Sequence, residues 1–114
     1  MTPYPKPVNE SVFNYLLKNN IEVLNFSSFN LNYDSEIAMV KPDHIVETIC
    51  KMNHEGSDAI FVSCTALRIV EVLQKAEEKI KKTIISSNQS MIWDSIRSIN
   101  INNKISNFGK LLLN

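Results

Sequence analysis

The sequence is poor in the residues that mark several specialised classes of protein. It has two cysteines, two glycines and one tryptophan among 114 residues, and twelve basic side chains balance twelve acidic ones. Because Lys and Arg do not cluster with aromatic residues, the electrostatic footprint of a nucleic-acid-binding protein is missing. No apolar run approaches the roughly 18 residues that span a bilayer. We therefore expect neither a nucleic-acid partner nor a membrane partner.

The first ten residues and the two cysteines indicate in which cellular compartment the protein is expected. MTPYPKPVNE contains no apolar stretch of the kind found in signal peptides. Without an export signal, Cys50 and Cys64 are expected to be reduced thiols in the cytoplasm. Neither His44 nor His54 has a second ligand at metal spacing, so we expect no metal site. No phosphate loop, dinucleotide fingerprint or nucleophile elbow is present.

Apolar periodicity predicts an alternation of helices and strands. The predicted helices cover residues 8–18, 42–52, about 65–79 and 89–99, and the predicted strands cover 21–26, 58–63 and 83–87. Pro42 suits a first helical turn, and Cys50 falls on the apolar face predicted for that helix. The continuous apolar run 58–63 predicts a strand buried on both faces. Such alternation is typical of an α/β fold, here a single three-layer domain with a parallel sheet.

Cys64 lies where such a sheet usually binds ligands, directly after strand 58–63 and before the helix predicted from Thr65. Helix N–H groups there would stabilise a thiolate or hold a carboxylate oxygen, with Ser63 and Thr65 as further donors. Alternatively, Cys64 is only a small residue that fills a tight turn. The spacing of the residues leaves both interpretations open.

Two other stretches have similar positions. SSNQS (86–90) follows a predicted strand and opens a helix, and helix capping by Ser87 or Asn88 explains its composition equally well. Tyr4 precedes the first helix and would project a phenol from another strand end, although its position alone makes it only a terminal aromatic residue.

Several motifs occur together and in order along nearly the whole chain. They are TPY at 2–4, VN at 8–9, EIAMV at 36–40, GSDAIFVSCTALR at 56–68, TIISSNQSMIWDSIR at 83–97 and FGKLL at 108–112. With these motifs the sequence resembles the Asp/Glu racemase superfamily, in the branch of maleate cis-trans isomerases and arylmalonate decarboxylases.

The resemblance implies a cofactor-independent isomerase or decarboxylase, similar to maleate isomerase, that acts on small mono- or dicarboxylic acids through cysteine acid–base chemistry. It also implies two similar α/β halves with the active site between them. This chain would correspond to the second half, with residues 1–105 as the racemase-like domain and residues 106–114 as a tail that packs on the first domain.

The same resemblance implies roles for individual residues. Cys64 matches a catalytic cysteine, and Tyr4 matches a tyrosine that hydrogen-bonds a substrate carboxylate. The N–H groups of Cys64 and Thr65, together with Ser63, would form an oxyanion pocket. Asp34 lies near a position where isomerases place a polar substrate-binding residue.

The resemblance also implies that members of the branch are longer than this chain, and we therefore expect that a first half-domain is absent from it. Three interpretations follow. The chain is a fragment, or it is one member of a split enzyme completed by a first-half chain or by self-association. In the third interpretation it is a non-catalytic binding or assembly module that kept the fold.

Overall fold

The computed structural model describes all 114 residues and contains five α-helices, two β-strands and a final turn of 3-10 helix. The elements are α1 (Lys6–Lys18), α2 (Asp34–Ala38), α3 (Pro42–Met52), β1 (Ala59–Val62), α4 (Leu73–Ile80), β2 (Thr83–Ser86), α5 (Ser87–Ser98) and the 3-10 turn (Lys110–Leu113). The predicted α/β class is confirmed. None of the helices combines the length and the apolar character that crossing a membrane requires.

β1 lies at the centre of a parallel arrangement. On one side it pairs with β2 in a register that runs from Ala59 opposite Thr83 to Val62 opposite Ser86. On its other side it is bonded to residues 1–3. The main-chain nitrogen of Met1 donates to the carbonyl of Phe61 (2.6 Å), and the N–H of Ser63 donates to the carbonyl of Met1 (3.0 Å). This spacing is the hydrogen-bond pattern of a parallel pair.

Residues 1–3 are also bonded on their far side, to residues 27–31. The bonds run from Thr2 N–H to the Ser27 carbonyl (3.1 Å), from Phe29 N–H to the Thr2 carbonyl (3.2 Å) and from Leu31 N–H to the Pro3 carbonyl (2.8 Å). Thr2 and Ser28 form a parallel bridge. Four hydrogen-bonded segments therefore lie side by side and run in the same direction, in the order 27–31, 1–3, β1, β2.

The strand predicted at 21–26 is wrong. This stretch forms no strand, and its branched residues Ile21, Val23 and Leu24 are exposed. The segment that pairs with residues 1–3 is instead the more polar stretch that follows it. Strand propensity reflects packing on a half-buried surface, and no neighbouring strand gives residues 21–26 such a surface.

Burial also corrects two expectations about side chains. In β1, Ile60 and Val62 are buried but Phe61 is 38% exposed, so the strand is not buried on both faces as predicted. In α3 the buried stripe includes Ile45 and Ile49. Cys50 is exposed, because it falls beyond the edge of that stripe.

The helix predicted from Thr65 begins only at Leu73, and residues 65–72 form turns. Leu67 and Ile69 within these turns are almost completely buried. Two residues at that spacing cannot share one face of a helix, so the turns let both side chains enter the core.

The tail packs on this domain, which the sequence did not indicate. Leu112 is buried, and the Glu77 carboxylate accepts the N–H of Lys110 (2.8 Å) as well as the N–H of Ile84 at β2 (2.8 Å). Phe108 and Leu113 remain partly exposed. That a further domain covers them stays a prediction.

We predict that Gly109→Ala destabilises the domain by roughly 2–4 kcal/mol, from backbone strain and overpacking together. Gly109 has φ +83°, and an added Cβ would lie 2.2 Å from Leu73 Cδ2. Urea unfolding of both glycine variants measures the effect. Gly56→Ala is the control, because its Cβ would make only ordinary contacts of 3.5 Å or more. Equal free energies of unfolding for the two variants would contradict the prediction.

Candidate active site

The carboxyl ends of three neighbouring segments bring polar side chains together. Tyr4 follows residues 1–3, Ser63 and Cys64 follow β1, and Ser87 follows β2. Because the segments are parallel, their ends lie at one edge of the sheet, the usual place for a ligand site in α/β folds.

Tyr4 lies near the other residues that the sequence analysis identified as candidate site residues. The Ser63 hydroxyl donates a hydrogen bond to the Tyr4 phenol oxygen (3.4 Å). Burial raises the pKa of Tyr4, and the bond from Ser63 lowers it. The neighbouring Cys64 thiol and the charge of Asp34 raise this pKa further. Tyr4 therefore lies beside Ser63 and Cys64, and the Asp34 carboxylate is near enough for its charge to act on the phenol.

The backbone of Tyr4 is held by two side chains that the sequence analysis did not single out. Its carbonyl accepts hydrogen bonds from Asn9 Nδ2 (2.8 Å) and Ser28 Oγ (2.6 Å). Asn9 is buried and also accepts a hydrogen bond from the Thr2 hydroxyl. The VN motif was the available signal, because it places Asn9 on the first helix near the TPY segment.

Cys64 occupies a tight turn and not the start of the helix that follows it in sequence. It is 7% exposed and has φ +97°, a conformation that residues with a side chain rarely adopt. Its N–H donates to Ser87 Oγ (3.2 Å), at the start of α5. The dipole of a helix beginning at Thr65, as the sequence predicted, is therefore not available to this thiol.

Thr65 lies at the exposed side of the same turn. Its carbonyl accepts a hydrogen bond from Asn88 Nδ2 (3.1 Å), whereas its N–H makes no hydrogen bond within the chain. Of the two backbone donors expected in an oxyanion pocket, the N–H of Thr65 is free and that of Cys64 is engaged.

The start of α5 is capped by Ser86, one residue earlier than the sequence indicated. Ser86 Oγ accepts the N–H of Gln89 (3.3 Å), and Gln89 Oε1 accepts the N–H of Ser86 (3.1 Å), which is a capping box. Ser87 and Asn88 are thus free to contact the Cys64 turn. The position of Ser87 and Asn88 directly after a predicted strand indicated a site role in the sequence, but helix capping explained these two residues equally well.

The histidines and acidic residues form no metal centre. His44 lies against the ring of Phe29 at 5.4 Å between centroids, and the His54 ring accepts the N–H of Gly56. The His, Cys, Asp and Glu side chains make no group of three that could hold a metal ion.

Comparison with known proteins places this arrangement in a family. The family model described as arylmalonate decarboxylase matches residues 1–112. The chain belongs to this family. Curated relatives include a maleate isomerase of Alcaligenes faecalis, 26% identical over 113 residues, and one of Geobacillus stearothermophilus, 24% identical. Each match covers 98% of this chain and 45% of the relative, so the chain spans about half the length of these proteins.

Solved structures of the family share the fold. A maleate isomerase variant from Pseudomonas putida S16 with maleate superposes with a TM-score of 0.93 at 23% identity, covering 97% of this chain and 45% of that one. A maleate cis-trans isomerase variant from Nocardia farcinica with a covalently bound succinylcysteine intermediate has a TM-score of 0.93 at 17% identity, covering 98% and 46%. Arylmalonate decarboxylase has a TM-score of 0.85 at 22% identity, covering 97% and 50%.

We predict that Tyr4 ionises above its ordinary pKa of 10.0, because burial and the Cys64 and Asp34 charges oppose ionisation. The sequence has three tyrosines, so Tyr15→Phe with Tyr33→Phe leaves Tyr4 as the only phenol in an ultraviolet pH titration. Both replaced side chains are 68% exposed. In this background Cys64→Ala should lower the Tyr4 pKa and Ser63→Ala should raise it.

The control adds Tyr4→Phe to the same background, which leaves no phenol and should abolish the ultraviolet titration. A Tyr4 pKa at or below 10.0, or a Cys64→Ala variant that leaves it unchanged, would contradict the arrangement described here.

Proposed function

We propose that this chain is the second half of a cofactor-independent isomerase of the maleate isomerase type, and that Cys64 supplies and removes a proton beside a substrate carboxylate. The supporting observation is the buried thiol next to the Tyr4 phenol, at the carboxyl edge of the sheet, in a member of the arylmalonate decarboxylase family. Such a thiol can exchange a proton with a substrate carbon that lies in the same pocket.

Three donors on this half suit a substrate carboxylate. The Tyr4 hydroxyl and the free N–H of Thr65 lie at the ends of two adjacent segments, and the Ser63 hydroxyl becomes a third donor when it rotates away from the Tyr4 oxygen that it bonds here. Negative charge that develops on the carboxylate when the adjacent carbon becomes a carbanion is stabilised by hydrogen-bond donors already in place. These groups are the proposed substrate-binding residues.

The proposed reaction balances without a cofactor. A nucleophile from the other half adds to one alkene carbon, and the electron pair of the double bond moves onto the neighbouring carbon and its carboxylate. The Cys64 thiol protonates that carbon, and rotation about the new single bond follows. The Cys64 thiolate then takes a proton back as the nucleophile leaves, which restores the double bond in the other geometry.

Asp34 has a different role from the three donors. Its carboxylate is close enough to Tyr4 to raise the pKa of the phenol, and it takes part in no ion pair of the chain. A carboxylate repels a second carboxylate. We therefore propose that Asp34 contacts the substrate through a hydrogen-bond donor, such as a protonated carboxyl group, and excludes a second anionic group from its side of the pocket.

The activity is proposed to require a first-half domain, supplied by another chain or by a second copy of this one. The chain spans 45% of the maleate isomerases it matches. The proposed nucleophile is not among the residues around Tyr4 and Cys64, so one half alone lacks a reacting group.

The first test is reconstitution. The purified chain, mixed with the first half of the Alcaligenes faecalis maleate isomerase, should convert maleate to fumarate, followed by proton NMR. The separate parts should be inactive. Turnover by the 114-residue chain alone would contradict the need for a first half. A mixture that forms a complex without turnover would contradict the proposed function.

The second test concerns the thiol. Cys64→Ser should lower kcat of the active mixture by about 10²–10⁴-fold, the usual contribution of a positioned acid or base. Cys50→Ser is the matched control, because this exposed thiol on α3 is remote in sequence from every site residue. Full activity of Cys64→Ser would show that Cys64 is not the group that supplies and removes the proton.

A further inference from the structure

The backbone at Cys64 requires something to hold it. A residue with a Cβ at φ +97° is strained, and a buried N–H needs an acceptor. The local chain supplies neither a glycine at this position nor a helix that follows directly. The support must therefore come from another part of the chain.

Two hydrogen bonds from the start of α5 provide that support. Ser87 Oγ accepts the N–H of Cys64 (3.2 Å), and Asn88 Nδ2 donates to the carbonyl of Thr65 (3.1 Å). The two bonds hold the main chain on both sides of the peptide unit that joins Cys64 to Thr65. The turn at residues 63–65 is thereby tied to α5 from two successive residues.

The start of α5 is a rigid anchor for these bonds. Ser86 and Gln89 are almost completely buried and bond each other in the capping box. The side chain of Gln89 also donates to the carbonyl of Phe108 in the tail. Ser87 and Asn88 lie between these two residues, so the main chain that carries their side chains is held in place.

We propose that Ser87 is a positioning residue for Cys64, whose hydroxyl holds the turn in the conformation that directs the thiol toward Tyr4. Asn88 holds the other side of the same turn. The inference rests on the proposed function only in treating the thiol as catalytic. One consequence is that the N–H of Cys64 is committed to Ser87, which leaves the N–H of Thr65 as the backbone donor for a substrate oxyanion.

A purely structural role for Ser87 makes a different prediction. Loss of a hydrogen bond to a buried N–H lowers the stability of the fold wherever it occurs, but it need not move the thiol relative to Tyr4. The ionisation of Tyr4 responds to Cys64 directly. It therefore reports the position of the thiol in protein that remains folded.

The experiment uses the 114-residue chain with Tyr15→Phe and Tyr33→Phe, so that Tyr4 alone titrates. Ser87→Ala should lower the Tyr4 pKa toward 10.0 and close to its value in Cys64→Ala, whereas Ser87→Thr, which keeps the hydroxyl, should retain the original value. Ser95→Ala is the matched control, because Ser95 is an exposed residue later on α5 that bonds only its own helix.

An unchanged Tyr4 pKa in Ser87→Ala, in protein shown to be folded by circular dichroism, overturns the proposal. Should Ser87→Ala not fold, Asn88→Ala removes the second bond and leaves the Cys64 N–H satisfied. It should shift the Tyr4 pKa in the same direction, and no shift in this variant also overturns the proposal.

Activity separates this proposal from the proposed function. In an active mixture with a first-half domain, Ser87→Ala should lower kcat by about 10²-fold, the effect of misplacing a reacting group by about 1 Å. KM should change little, because Tyr4 and Ser63 are intact, and Ser87→Thr should restore kcat. If the Tyr4 titrations behave as expected but the wild-type mixture is inactive, the proposed function fails and the positioning role of Ser87 stands.

Discussion

The candidate site depends on one constraint, the pairing of residues 1–3 between β1 and residues 27–31. The main chain of these three residues is hydrogen-bonded on both sides, and Asn9 and Ser28 hold the Tyr4 carbonyl just beyond them. Without this pairing, the phenol of Tyr4 would have no fixed position beside Cys64. The neighbouring ends of parallel segments therefore bring Tyr4, Ser63, Cys64 and Ser87 to one edge of the sheet.

The Cys64 turn shows how a strained residue persists in a small domain. The apolar side chains on either side of it in sequence, Ile60, Val62, Leu67 and Ile69, are all buried. Each such side chain contributes about 1.5–3 kcal/mol when it leaves water, compared with about 1–3 kcal/mol for a strained φ. The core can thus outweigh the strain, while the bonds from Ser87 and Asn88 determine which way the turn faces. Burial of the flanking apolar side chains stabilises the strained turn, and the hydrogen bonds from Ser87 and Asn88 determine its orientation.

The local sequence pattern correctly predicted the helices and strands whose conformation depends mainly on residues nearby in sequence. Helices α1, α3 and α5 and strands β1 and β2 follow from apolar periodicity and from Pro42. The predictions of a strand at 21–26 and of a helix from Thr65 were wrong, because the conformation of both stretches depends on residues that are distant in sequence. Residues 27–31 pair with residues 1–3, and Leu67 and Ile69 enter the core from turns. Likewise, the proximity of Tyr4, Ser63 and Cys64 follows from parallel strand ends, whereas the bond from Cys64 to Ser87 depends on a backbone angle that no sequence pattern encodes.

The charges around Tyr4 bear on how the proposed site would bind a dicarboxylate. No lysine or arginine is among the groups that shift the Tyr4 pKa, and Asp34 adds a negative charge to them. The donors on this half are neutral hydroxyls and one backbone N–H, which suit a single carboxylate. A dianion such as maleate would leave its second carboxylate near Asp34 without a donor, and an unpaired charge in a closed pocket is costly. Under the proposed function, donors for that second group would come from the first-half domain, like the nucleophile.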